Sequence, residues 1–152
     1  MRFKGKSGIS PVVATVILVA VSIVLAIAVA FWASGLVGIF TRFEKLEIVS
    51  AVMINADTFQ VIIRNTGSAD TSIIRVVAQG QAHYLFDPPR PIMVGQALQC
   101  DIVTNAVPPG ITVELSFYTS GGKTYPTAVL STLGQGQGPW NPQIRGVYCD
   151  RR

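Results

Sequence analysis

Between Lys6 and Arg42 the chain carries no charged residue. Within that gap the run VVATVILVAVSIVLAIAVAFWASGLVGIF, residues 12–40, is interrupted by polar side chains only at Thr15, Ser22 and Ser34, with Gly35 and Gly38 as its glycines. About 20 apolar residues suffice to cross a bilayer. Valine and isoleucine are abundant here and would favour a strand in water. A lone strand in lipid leaves its backbone groups unpaired, so the run is expected to be helical. A helix over residues 11–40 would be roughly 45 Å long, against a hydrocarbon core of about 30 Å. Ser10 is placed to cap it, and Pro11 suits the first helical position, where a missing N–H costs nothing.

Arg2, Lys4 and Lys6 precede the run and are expected to hold that end in the cytoplasm, so that the chain beyond the helix is exported. They also account for most of the formal net charge of +4: without them 12 − 3 = 9 basic residues face 8 acidic ones. No basic patch for nucleic acid remains. A secretory signal is the simplest rival, because Ala26-Ile27-Ala28 and Ala28-Val29-Ala30 both fit an A-x-A cleavage pattern. Its apolar region usually has about 7–15 residues, fewer than the run here. Ser22, Ala26, Ala30, Ser34 and Gly38 recur at every fourth position, which sets up a ridge of small side chains that lets helix backbones approach closely. Each step of four drifts by about 40° on a 3.6-residue helix, so the ridge spirals and can meet more than one neighbour. The plainer alternative is the general frequency of small residues in membrane helices.

The stretch Gly8-Ile9-Ser10-Pro11-Val12-Val13-Ala14-Thr15-Val16-Ile17-Leu18-Val19-Ala20 resembles the amino-terminal signature of archaeal type IV pilins: a short basic leader, a Gly before an apolar residue, then Ser-Pro and a long helix. The segment at residues 40–48 resembles thermophilic members of the same family more weakly. Ser7 stands where the family usually has a charged residue. Val13 stands where bacterial relatives carry a glutamate, which points to the archaeal branch. The resemblance implies cleavage between Gly8 and Ile9 by a prepilin peptidase. It also implies insertion into a fibre by an assembly ATPase and its membrane platform.

After residue 42 the texture changes to short β-branched and aromatic runs separated by Gly, Pro and Asn. Strands are expected at 44–55, 58–64, 72–78, 81–86, 97–104, 112–119 and 124–133, with Asp87-Pro88-Pro89-Arg90-Pro91 and Pro108-Pro109-Gly110 read as loops. About seven strands at this spacing suggest an antiparallel, immunoglobulin-like β-sandwich. The fold class is therefore α+β, with a basic leader at 1–8, a hydrophobic helix at 9–42, a sandwich at 43–133 and a Gly/Pro/Gln-rich tail at 134–152. Trp140 is a candidate to pin that tail onto the sandwich, because a free tail seldom carries so large an apolar ring. Cys100 and Cys149 fall on the exported side, where an oxidising exterior favours a disulfide over two buried thiols.

Nothing in the sequence assembles a catalytic constellation. His83 is the only histidine, and no ligand spacing for a metal, P-loop, dinucleotide fingerprint or nucleophile elbow occurs. No enzyme, cofactor, small-molecule substrate or nucleic-acid partner is expected. Arg42, Glu44, Lys45 and Glu47 read as a solvated collar at the helix exit. The function expected from the resemblance is a structural subunit of an extracellular pilus serving adhesion. It would sit in the cell membrane as a precursor and polymerise with copies of itself through the helix. A monomeric membrane-anchored binding module and a minor or priming pilin are the alternatives.

Overall fold

A computed structural model of the chain describes residues 10–35 and 42–152. The chain divides into two compact units, Met1–Thr41 and Arg42–Arg152. In the first, helix α1 spans Pro11–Ala33. Pro11 opens it, as its fixed φ allows, and the Ser10 carbonyl accepts from the Ala14 amide at 3.1 Å. The Ser10 hydroxyl makes no capping bond, so the start is set by the proline and the backbone rather than by a side-chain cap. The end is set by Gly35, whose φ of +71° is a left-handed conformation that glycine adopts without strain. Its amide donates to the Trp32 carbonyl at 3.2 Å. The 23 residues of α1 give a rod of about 35 Å at ~1.5 Å per residue. This is shorter than the full apolar run would allow and closer to the thickness of a hydrocarbon core.

The second unit is a sandwich of two four-stranded antiparallel sheets. Its strands are β1 (Leu46–Asn55), β2 (Thr58–Asn65), β3 (Thr71–Ala78), β4 (Ala82–Ile92), β5 (Ala97–Thr104), β6 (Thr112–Thr119), β7 (Thr124–Leu130) and β8 (Ile144–Arg151). One sheet has the order β1-β2-β5-β8 and the other β4-β3-β6-β7. Strands two and five are central in one layer, three and six in the other, with the fourth beside the third. That is the Greek-key arrangement of immunoglobulin-like domains, with β8 occupying the place beside β5. Burial alternates strictly along β5 and along most of β6, as expected of strands that pack one face on a core and show the other to solvent. Phe59 of β2 and Phe117 of β6 are the largest fully buried side chains, packed with Ile63, Ile73, Ile102 and Leu115.

Beyond strand ends that shift by up to 3 residues, as where β1 begins at Leu46 and β7 stops at Leu130, two segments differ from the sequence expectation. Residues 87–91, read as a loop, belong to β4. Proline is tolerated in a strand whose one side needs no partner, and β4 is an edge strand. The ladder accommodates the prolines by a bulge, since Ile73 faces Arg90 while Arg75 faces Leu85. The second difference is β8, an eighth strand inside the tail. It pairs with β5 from Leu98 opposite Arg151 to Thr104 opposite Ile144.

Long-range bonds hold that tail in place. The Trp140 indole Nε1 donates to Asn105 Oδ1 at 3.1 Å, the Gln143 amide donates to the same oxygen at 2.9 Å, and Asn105 Nδ2 donates to the Asn141 carbonyl at 2.8 Å. Cys100 and Cys149 face each other across β5 and β8 and form a disulfide with a sequence separation of 49. Closing a loop of that length restricts the unfolded chain. Replacing both cysteines by alanine is expected to lower sandwich stability by about 2–4 kcal/mol, read as an earlier midpoint in denaturant titration.

Where the chain enters the sandwich, residues 42–45 lie against the turn between β2 and β3. The amides of Ser68 and Ala69 donate to the Phe43 carbonyl, and those of Thr66 and Gly67 to the Lys45 carbonyl. A Cβ on Gly67 would lie 2.6 Å from both the Lys45 nitrogen and the Phe43 oxygen, so the absence of a side chain there permits this approach. Buried Asn65 braces the turn, accepting from the Gly67 amide at 3.0 Å and donating to the Ala69 carbonyl at 2.9 Å and the Ile92 carbonyl at 3.2 Å. The expected collar is thus only partly a solvated one. Lys123 Nζ donates to the Glu44 carbonyl at 2.6 Å, and the Glu44 side chain is half-buried against Gly121. Burial pushes the nearby Tyr125 phenol above its ordinary pKa, and the Glu44 carboxylate adds to the shift.

Candidate functional site

The feature that sets this chain apart from an ordinary sandwich is α1. Not one of its residues is buried, although it is built almost wholly of Val, Ile, Leu, Ala and aromatic side chains. Trp32 at 76% and Val12 at 69% exposure lie near its two ends. Apolar side chains face every direction, so no single stripe marks a partner as in a surface helix. Such a helix needs an apolar environment on all sides. By length and composition it can cross a membrane, and a signal sequence near the N-terminus meets the same test.

The hydroxyls of α1, and that of Ser34 just after it, are already satisfied. Thr15 Oγ1 donates to the Val12 carbonyl at 2.9 Å, Ser22 Oγ to the Leu18 carbonyl at 2.7 Å and Ser34 Oγ to the Phe31 carbonyl at 3.0 Å. Each hydroxyl folds back onto its own helix, so none enters lipid or a helix interface as an unpaired donor. Ser22, Ala26 and Ala30 lie within α1 and Ser34 directly follows it. Ala30 and Ser34 form a shallow hollow with Ile27 and Phe31, the surface relief expected where small residues stand between larger ones. Gly38, the fifth member of the ridge, and Gly8 and Ile9, the expected cleavage pair, lie outside the described residues.

Other candidate chemistry stays dispersed. Among the described residues, no three His, Cys, Asp or Glu side chains come together as metal ligands would. His83 is an exposed residue of edge strand β4. No protein-family model and no curated protein matches the chain. Sequence reasoning missed Gly35 as the helix stop, although a glycine following an apolar periodic run is a recognised signal. It also missed Asn105 as the hub of the tail, for which no local signal exists, because its partners lie more than thirty positions downstream.

Proposed function

We infer that the chain is a structural subunit of an extracellular archaeal type IV-like pilus. The single observation that carries this reading is an uncharged, fully exposed helix with self-satisfied hydroxyls, joined in sequence to a sandwich with its own core. Such a helix exchanges lipid for like helices without presenting its apolar surface to water. It serves first as a membrane anchor and then as the filament core, with the sandwich outside. The resemblance of residues 8–20 to archaeal pilins supplies the rest: removal of the leader after Gly8, then extraction by an assembly ATPase and platform. Adhesion to surfaces is the role this family would imply. A head-to-tail contact whose rotation does not close builds a helical fibre from one subunit type.

The deciding experiment is N-terminal sequencing of material sheared from cells, together with electron microscopy. Fibres whose subunits begin at Ile9 are expected. A detergent-soluble monomer beginning at Met1 would instead establish the anchored binding module, which the same helix equally permits.

A further inference from the structure

Prolines divide the four edges of the sandwich into two kinds. The outer strands of one sheet, β4 and β7, contain Pro88, Pro89, Pro91 and Pro126, and a proline withholds the amide that an added strand would bond. The outer strands of the other sheet, β1 and β8, contain none. Among the described residues each is hydrogen-bonded to a strand on one side only. β1 has a single charged side chain, Glu47, in its 10 residues. It also exposes Val49 at 58% and Val52 at 44%. Sheet edges are normally blunted by charge, proline or cover, because an open edge recruits another strand.

Strand direction identifies what fits. The pairs β1–β2, β2–β5 and β5–β8 are all antiparallel, so β8 runs opposite to β1. A second copy moved sideways without being turned over therefore presents its β8 antiparallel to the first copy's β1. The charges agree: β1 carries only Glu47, whereas the β8 end carries Arg145, Arg151 and Arg152 against Asp150. The geometry points to a head-to-tail contact in which β1 of one copy adds onto β8 of the next, continuing one sheet from subunit to subunit.

Faces and charges favour one register. Ser50 and Val52 lie on the outer face of β1, opposite Ile62 and Gln60 of β2. Tyr148 and Asp150 lie on the outer face of β8, opposite Asp101 and Gln99 of β5. Matching outer face to outer face leaves registers spaced by two residues. One of them sets Glu47 against Asp150, which like-charge repulsion disfavours. The next sets Val52 beside Tyr148 and, past the bulge at Val49, brings Glu47 opposite Arg152.

The repetition of this contact rests on the filament reading, and one experiment separates the two. Val52→Cys and Tyr148→Cys are introduced together into the full chain, whose two native cysteines are bonded to each other. Val52 and Tyr148 are 44% and 69% exposed, so neither change disturbs the core. After mild oxidation of assembled material, a non-reducing gel is expected to show a ladder of dimer, trimer and higher species. Peptide mapping is expected to join residues 52 and 148, and each single variant to remain monomeric. Dimers from Val52→Cys alone would overturn the head-to-tail pairing in favour of like edges meeting. Fibres without a ladder would overturn the edge contact and leave the filament standing. A ladder from detergent-solubilised chain, where neither wild type nor variant makes fibres, would uphold the contact and overturn the filament.

Discussion

On the proposed filament reading, Ala30→Glu is expected to abolish fibre formation while leaving the sandwich folded. Ala30 lies in the hollow with Ile27, Phe31 and Ser34, on a helix with no charge of either sign. A carboxylate there finds no cation on its own helix or on an identical neighbour. Burying an unpaired ion costs several kcal/mol even after relaxation, and the cost recurs at every subunit added. Ala30→Ser is the matched control, since a serine at this position can return its hydroxyl to the helix backbone as Ser22 and Ser34 do. Fibre counts by electron microscopy check the pair, with circular dichroism of the sheet as the fold control. Normal fibre yield from the glutamate variant would remove α1 from the filament core.

Phe117→Ala is expected to act on the other unit and through a different mechanism. Phe117 is fully buried on β6, opposite Val76 of β3 and Tyr125 of β7, so its ring fills the middle of the second sheet's inner face. Truncating such a ring in a close-packed core costs about 3–5 kcal/mol, a large share of the roughly 5–15 kcal/mol by which domains of this kind are stable. The denaturant midpoint should fall steeply, and the sandwich should become sensitive to protease while the helix still partitions into detergent. A change below about 1 kcal/mol would mean that the neighbouring side chains close the cavity.

The seven strands expected from sequence all occur, because each one alternates or bears a β-branched run long enough to read without its neighbours. β8 did not declare itself. Gly146 is the third of its eight residues, and the Gly, Gln and Pro stretch before it reads as linker. It is a strand because β5 supplies a ladder, Asn105 holds its approach and Cys100 bonds Cys149. The prolines of β4 misled for the related reason that local chemistry cannot reveal which side of a strand will lack a partner.

By itself the sequence determined the helix, its need for an apolar surrounding and the alternating faces that make two sheets. These arise from the spacing of charges and apolar residues over a few turns or strands. The end of α1 was also written locally, in the glycine that follows it, and the left-handed φ of Gly35 is where the structure shows it. Only the tertiary structure decided which strands are edges, where the tail returns and that, among the described residues, β1 and β8 each lack a partner strand on one side. Hydrogen bonds between strands join residues far apart in the chain, and edge or centre is a property of the assembled sheet that no segment carries alone.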